Sequence, residues 1–119
     1  VEIGDYAIIS GLSAVHQFVK IGAHVMIGGG AMVRKDVPPF ITAAGEPLSY
    51  AGVNSVGLKR RNFSQEEINE IQTLYRTLYQ SGMNVSQAVN RIKETYSKGP
   101  EADAILNFIE RSDRGLIRK

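Results

Sequence analysis

Aliphatic residues recur every six positions at the start of the chain. Ile3, Ile9, Val15, Ile21, Ile27 and Val33 follow one another without a break. The residues two places earlier, Val1, Ala7, Ser13, Val19, Val25 and Ala31, are all small or β-branched, and Gly4, Gly22 and Gly28 directly follow three of the six aliphatics. A helix of 3.6 residues per turn cannot hold residues six apart on one face. A parallel β-helix can. Three hexapeptides close a triangular coil of eighteen residues, and each inward aliphatic stacks on its equivalent one coil later, with coils about 4.8 Å apart. Small residues fit beside the corners, and glycine permits the tight turns expected there.

The pattern therefore assigns residues 1–39 to terminal coils of a β-helix. Residues 1–36 make two coils, whereas solenoids bury a continuous core with about three or more repeats. The first coil also presents an unpaired strand edge. Val1 already lies inside the repeat. The expectation is a piece of something longer, with further coils before it or another chain covering that end.

The repeat stops at Asp36-Val37-Pro38-Pro39, where two prolines cannot donate to a ladder and force an extended exit. Residues 40–62 read as a connector, with 40–57 a loop punctuated by Gly45, Pro47, Gly52 and Gly57. From Ser64 the period becomes helical. Ser64-Gln65-Glu66-Glu67 is a capping box, Ile68, Ile71, Tyr75 and Leu78 form an apolar stripe, and Gly82 marks the stop. A second helix is expected over Ser86–Tyr96, with Val89 and Ile92 inward. After the break at Ser97-Lys98-Gly99-Pro100, a third runs to about Arg111 with Ile105, Phe108 and Ile109 buried. Residues 63–119 thus form a small helical bundle, marginal alone, that should pack on the coils or on a neighbouring subunit.

Composition narrows the function classes. The chain has 119 residues and no cysteine, which excludes disulfides and cysteine–metal sites and fits a reducing cytoplasm. A formal charge of +2 is too small to point to nucleic acid, and no apolar run is long enough to span a membrane. Two histidines and scattered carboxylates do not make a metal site, and no Ser-His-Asp constellation is present.

Three groups could carry binding chemistry. His16 follows the inward Val15 and so points outward. Stacking by eighteen puts Arg34 beneath it and Lys35 beneath Gln17, an arrangement suited to an anionic or polar ligand, a solvated face or a subunit contact. Gly28-Gly29-Gly30 lacks the strand–loop–helix context of a phosphate loop. It reads as a coil corner, or as a place where a chain of methylenes passes close to the backbone. Lys59-Arg60-Arg61 precedes the first long helix. It is either a solvated surface or, because the guanidinium fork matches phosphate oxygens, a diphosphate clamp.

Several segments resemble one family. Ala14-Val15-His16-Gln17-Phe18, Ile21-Gly22-Ala23-His24-Val25-Met26-Ile27-Gly28-Gly29, Asp36-Val37-Pro38-Pro39, Gly57-Leu58-Lys59-Arg60-Arg61 and Arg111-Ser112-Asp113-Arg114-Gly115-Leu116-Ile117-Arg118 are similar, in order, to the UDP-N-acetylglucosamine O-acyltransferases of lipid A synthesis. The resemblance implies a left-handed β-helix followed by a C-terminal helical domain. It also implies a cytoplasmic homotrimer with sites between neighbouring β-helices. The reaction implied is transfer of a 3-hydroxyacyl group from acyl carrier protein to the 3-hydroxyl of UDP-N-acetylglucosamine, with no cofactor beyond the thioester donor. It places His16 and Gln17 near the substrates, Gly29 at the position limiting acyl depth, and Asn54, Arg60 and Arg61 on the nucleotide and its phosphates. An acidic residue frequent in the family is replaced here by Val56, which bears on uridine recognition. The family's general-base histidine and its oxyanion donor belong upstream of Val1, so the resemblance places no catalytic residue in this chain. Two other readings are a non-catalytic trimerisation or nucleotide-sugar-binding module, and the related N-acyltransferase of the same pathway, against which the Gly-Leu-Lys-Arg-Arg and Arg-Gly-Leu-Ile-Arg segments argue.

Overall fold

A computed structural model describes residues 1–95 and 99–118. Six two-residue strands open the chain: β1 (Glu2–Ile3), β2 (Ile8–Ile9), β3 (Ala14–Val15), β4 (Lys20–Ile21), β5 (Met26–Ile27) and β6 (Met32–Val33). They pair in parallel as β1–β4, β2–β5 and β3–β6, with Ile3 opposite Ile21, Ile9 opposite Ile27 and Val15 opposite Val33. The register of eighteen is thus the spacing of the sequence repeat. Val19, Ile21, Val25, Ile27, Ala31 and Val33 line the interior of the second coil. Ile21, which pairs with Ile3 on one side and Val37 on the other, is 1% exposed, whereas Ile3 is 50% exposed.

The corners differ from the expectation. Left-handed backbone recurs every six residues, at Tyr6 (φ 61°), Leu12 (φ 62°), Phe18 (φ 67°), His24 (φ 61°) and Gly30 (φ 71°), so four of five corners carry side chains. The backbone bonds of the neighbouring coil hold these conformations, for example His24 N–H to the Asp5 carbonyl at 2.8 Å. Glycine is needed instead where coils touch. A Cβ at Gly22 would lie 2.5 Å from the Pro39 nitrogen, and one at Gly4 2.4 Å from the Ala23 nitrogen.

The coil also does not end at Pro39. Val37 bridges to Ile21, and β7 (Ile41–Ala44) pairs in parallel with β5, Ile27 opposite Ala43. The offset has fallen from eighteen to sixteen, so the last turn is shortened by two residues. β8 (Ser49–Val53) then folds back antiparallel on β7, and α1 (Ser55–Arg60) follows. The connector read as a loop is therefore a hairpin and a short helix. Its glycines and Pro47 punctuate the hairpin, and the buried Ile41 and Ala43 alternate with half-buried Thr42 and Ala44 in the period of a strand.

α2 (Gln65–Gln80) has the anticipated capping box, with both reciprocal bonds between Ser64 and Glu67, and Gly82 is left-handed just past its end. α3 (Val85–Thr95) buries Ala88 and Ile92, with Val89 only half-buried; Asn84 and Gln87 cap it reciprocally. The expected helix end at Tyr96 and the break at Ser97-Lys98 lie outside the described residues. α4 (Pro100–Arg111) buries Ala102, Ile105 and Phe108. Both α3 and α4 pack on α2, which itself packs on β8. The coils and helices share one continuous core. Tyr50 of β8 stacks on Tyr75 and Tyr79 of α2, at 5.7 and 4.7 Å between ring centroids. The Tyr75 hydroxyl donates to the Pro39 carbonyl and that of Tyr79 to the Ile117 carbonyl. Burial pushes both phenols upward, which keeps them protonated donors.

Gly22→Ala should destabilise the chain by about 2–3 kcal/mol, because the Cβ can be accommodated only by moving the Pro39 backbone. Gly11→Ala, where nothing lies within 4 Å, should change stability little. Urea unfolding of the two variants checks the contrast.

Candidate substrate-binding surface

The candidate residues sit on the outside of the prism. His16 is held by its backbone, whose N–H donates to the Val33 carbonyl at 2.8 Å, and its ring is exposed. Stacking does place Arg34 next along the ladder, but the Arg34 guanidinium faces Glu46 at 3.8 Å. The cation that meets His16 is Arg114, whose Nη2 lies 2.8 Å from His16 Nδ1 and donates to the Gln17 carbonyl at 3.2 Å. Arginine only donates, so Nδ1 is the acceptor in this contact, and the Gln17 carbonyl lies 3.3 Å from the same nitrogen.

Arg114 arrives from 98 residues away because the C-terminal segment is tied to Asp36. That carboxylate is fully buried and accepts from Lys20 N–H at 2.7 Å, Ser112 Oγ–H and Arg114 N–H at 3.3 Å. Around it the main chain closes the same connection, Asp36 N–H to the Gly115 carbonyl at 2.8 Å and Ile117 N–H to the Asp36 carbonyl at 3.0 Å.

Asn54 and Arg61 gather at a different corner. Asn54 is nearly buried; its Oδ1 accepts from Gly57 N–H at 3.3 Å, capping α1, and its Nδ2 donates to the His24 carbonyl at 2.9 Å. Its amide therefore fixes α1 to the coil. Arg61 caps the other end of α1, with Nη1 3.1 Å from His24 Nδ1 and Cζ 5.1 Å from the Tyr6 ring centroid. Gly57 makes room for both. A Cβ there would lie 2.5 Å from Asn54 Nδ2 and 3.1 Å from Arg61 Nη1. Arg60 is exposed beside it. Gly29 is exposed before the Gly30 corner, and a Cβ on it would meet nothing nearer than 3.9 Å. Among the described residues, nothing requires glycine at that position.

The six candidates thus occupy three corners: His16 and Gln17 before Phe18, Gly29 before Gly30, and Asn54, Arg60 and Arg61 beside His24. Among the described residues, no hydrogen bond or ion pair joins the three groups. One chain does not assemble them.

A family model described as UDP-N-acetylglucosamine O-acyltransferase, domain 2, matches residues 36–117. The chain belongs to this family. The match spans the segment that the Asp36–Ile117 bond closes. An acyl-[acyl-carrier-protein]–UDP-N-acetylglucosamine O-acyltransferase of Burkholderia orbicola is 45% identical over 99% of this chain and 47% of its own length. That of Thiobacillus denitrificans is 43% identical over 98% of this chain and 45% of its own. The crystal structure of a UDP-N-acetylglucosamine acyltransferase from Bacteroides fragilis superposes with a TM-score of 0.94 at 46% identity, covering 98% of this chain and 46% of that one. The enzyme from Francisella novicida gives 0.93 at 37% identity, with 98% and 43% covered. The chain spans about half the length of the curated relatives it matches.

Two side chains at this surface were not singled out as site residues from sequence. Arg114 lies in a segment recognised only as a motif, and its contact with His16 depends on a tertiary tie through Asp36. His24 appears in the sequence reading only within a segment that resembles the family. Its six-residue spacing from Phe18, a corner residue, was the available clue.

Two expectations follow. Asp36→Ala should free residues 112–118 and weaken folding by about 2 kcal/mol or more, since three donors lose a buried acceptor. Faster amide exchange at Arg114 and Ile117, with exchange in β5 unchanged, is the expected reading. Burial first, then Arg61, hold His24 below the usual imidazole range, against an upward pull from Asp5. The unfolded chain then binds more protons there than the folded one. The His24 contribution to stability is present above the unfolded pKa near 6.5 and is lost as pH falls toward the lowered folded value. Unfolding midpoints measured across that window should fall with pH in the natural chain, and His24→Asn should flatten the trend.

Proposed function

We propose that this chain is the C-terminal half of a subunit that transfers a 3-hydroxyacyl group from acyl carrier protein to the 3-hydroxyl of UDP-N-acetylglucosamine, the first step of lipid A biosynthesis. The observation that carries the reading is the 43–45% identity over almost the whole chain to curated proteins named for that acyl transfer. The sugar oxygen forms an ester bond to the acyl carbonyl, the thioester C–S bond breaks, and the proton of the hydroxyl ends on the carrier thiol. The general base and the oxyanion donor come from coils preceding Val1. No cofactor is called for, because the thioester already activates the acyl group.

The residues of this chain bind and orient. Arg60 and Arg61 take the diphosphate, Arg61 with a guanidinium already placed against His24. Asn54 sets α1 so that these arginines face the nucleotide. His16 and Gln17 lie along the substrates, and the acyl chain passes the bare backbone at Gly29. Distribution of these groups over three corners supports sites completed by a neighbouring subunit; the homotrimer of left-handed β-helices and the cytoplasmic location are part of the proposal through the family resemblance. Among the described residues, no helix is long and apolar enough to cross a membrane.

In the natural protein that contains this sequence, the double variant Arg60→Ala, Arg61→Ala should weaken UDP-N-acetylglucosamine binding by about 100-fold, as two charge-assisted bonds are lost. Calorimetric titration measures it. Unchanged affinity would remove the diphosphate clamp, and binding without acyl transfer by the unaltered protein would favour a non-catalytic nucleotide-sugar module.

A further inference from the structure

His24 is enclosed in a way that neither the coil nor the helices require. Its ring lies between Tyr6 and Phe40, with centroids 5.1 and 5.8 Å away and planes within 19° of its own, and Phe63 meets it edge-on at 5.1 Å. Its main chain is held on both sides, N–H to the Asp5 carbonyl and carbonyl from Asn54 Nδ2. The ring therefore has little freedom to turn, and its Nδ1 is aimed at Arg61 Nη1, 3.1 Å away. Because a guanidinium cannot accept, this contact exists only when Nδ1 is unprotonated.

We propose that His24 is a positioning residue for Arg61: its neutral imidazole accepts from one guanidinium nitrogen and turns the remaining donors toward the diphosphate of a bound UDP-sugar. The inference rests on the nucleotide-sugar reading above. Its physical basis is the choice of acceptor. A free arginine side chain samples many rotamers, and ordering it on binding weakens affinity. A carboxylate in place of His24 would order it equally well but would cancel the charge that phosphate needs. A neutral imidazole orders the guanidinium and leaves its charge intact. The Tyr6 ring beneath Cζ and the absence of a side chain at Gly57 complete the seat. The charged and titratable groups facing the imidazole are Arg61, Asp5 and the Tyr6 phenol; Phe40 and Phe63 contribute none. Burial and Arg61 together keep His24 neutral at pH 7, which agrees with the geometry.

Two substitutions separate the acceptor from the stack. Phenylalanine already occupies this left-handed corner conformation at Phe18 and Phe40, so His24→Phe keeps the backbone and the ring stack while removing Nδ1. His24→Asn loses the stack but offers an amide oxygen close to the Nδ1 position, and asparagine tolerates left-handed backbone. In the natural protein that contains this sequence, calorimetry with UDP-N-acetylglucosamine at pH 7.5 should show His24→Phe weakening binding by about tenfold and His24→Asn staying within about threefold of the parent. Combined with Arg61→Gln, His24→Phe should add no further loss. Parent affinity should fall as pH drops below the usual imidazole range, while His24→Asn stays flat. His24→Phe without effect, where Arg61→Gln weakens binding, overturns the positioning role. Affinity that rises on acidification also overturns it, by making His24 a direct ligand of the anion. Arg61→Gln without effect instead overturns the nucleotide-sugar reading on which the inference rests.

Discussion

The parallel ladder that stacks one coil on the next is the constraint from which the rest of the structure follows. An offset of eighteen puts like residue on like residue, so inward aliphatics meet aliphatics and corners meet corners. Each corner must bend sharply, and bonds such as His24 N–H to the Asp5 carbonyl hold the left-handed backbone this requires. Close stacking also forbids side chains at certain points. Gly4 and Gly22 stand eighteen apart because each lies against the backbone of the coil above. Small residues are therefore dictated by contact between coils, while the bends themselves accept Tyr, Leu, Phe and His.

When the offset drops to sixteen, the ladder ends in a usable way. The Pro39 carbonyl turns away from the stack and takes the Tyr75 hydroxyl, so the helices are attached at the point where the coil shortens. The chain reverses through β8, and the stacked Tyr50, Tyr75 and Tyr79 seal hairpin to helix. The C-terminal segment then returns across the coils and is fixed by Asp36, a buried acceptor at the start of the shortened turn. One local change in register thus decides where the helical part docks and where Arg114 comes to rest.

The period of six and the capping box at Ser64 were legible because each is a local pattern repeated or closed within a few residues. So were the outward direction of His16 and the stop at Gly82. The hairpin β7–β8 was not, because its Gly and Pro residues read as loop punctuation while the pairing of Ile41 and Ala43 with the coil requires knowing that the register has shifted. α1 was hidden by its length of only six residues, under two turns, and by Gly57 inside it, where helix propensity is poor. The reason for that glycine is tertiary: it leaves space for the Asn54 amide and the Arg61 guanidinium. Arg34 was expected to accompany His16 from the ladder alone. The ladder fixes backbones, however, and a long side chain follows its best partner, here Glu46, while Arg114 takes the place beside His16.

Both histidines meet an arginine through Nδ1, one beside Gln17 and one beside Asn54. The two pairs lie at different corners of a convex prism, and a convex edge cannot by itself surround a ligand. On the function proposed, the nucleotide end and the acyl end of the reaction must then be brought together by a second surface placed against this one. The ladder makes that possible. Because every coil repeats the same corners at a fixed rise, two prisms lying side by side present matched rows of outward groups along their whole length. On that function, the spacing between Gly29 and Arg61 would follow from the coil register together with the Asn54 and His24 contacts that seat α1 on the coil. Substrate length would be measured against the same repeat that builds the core.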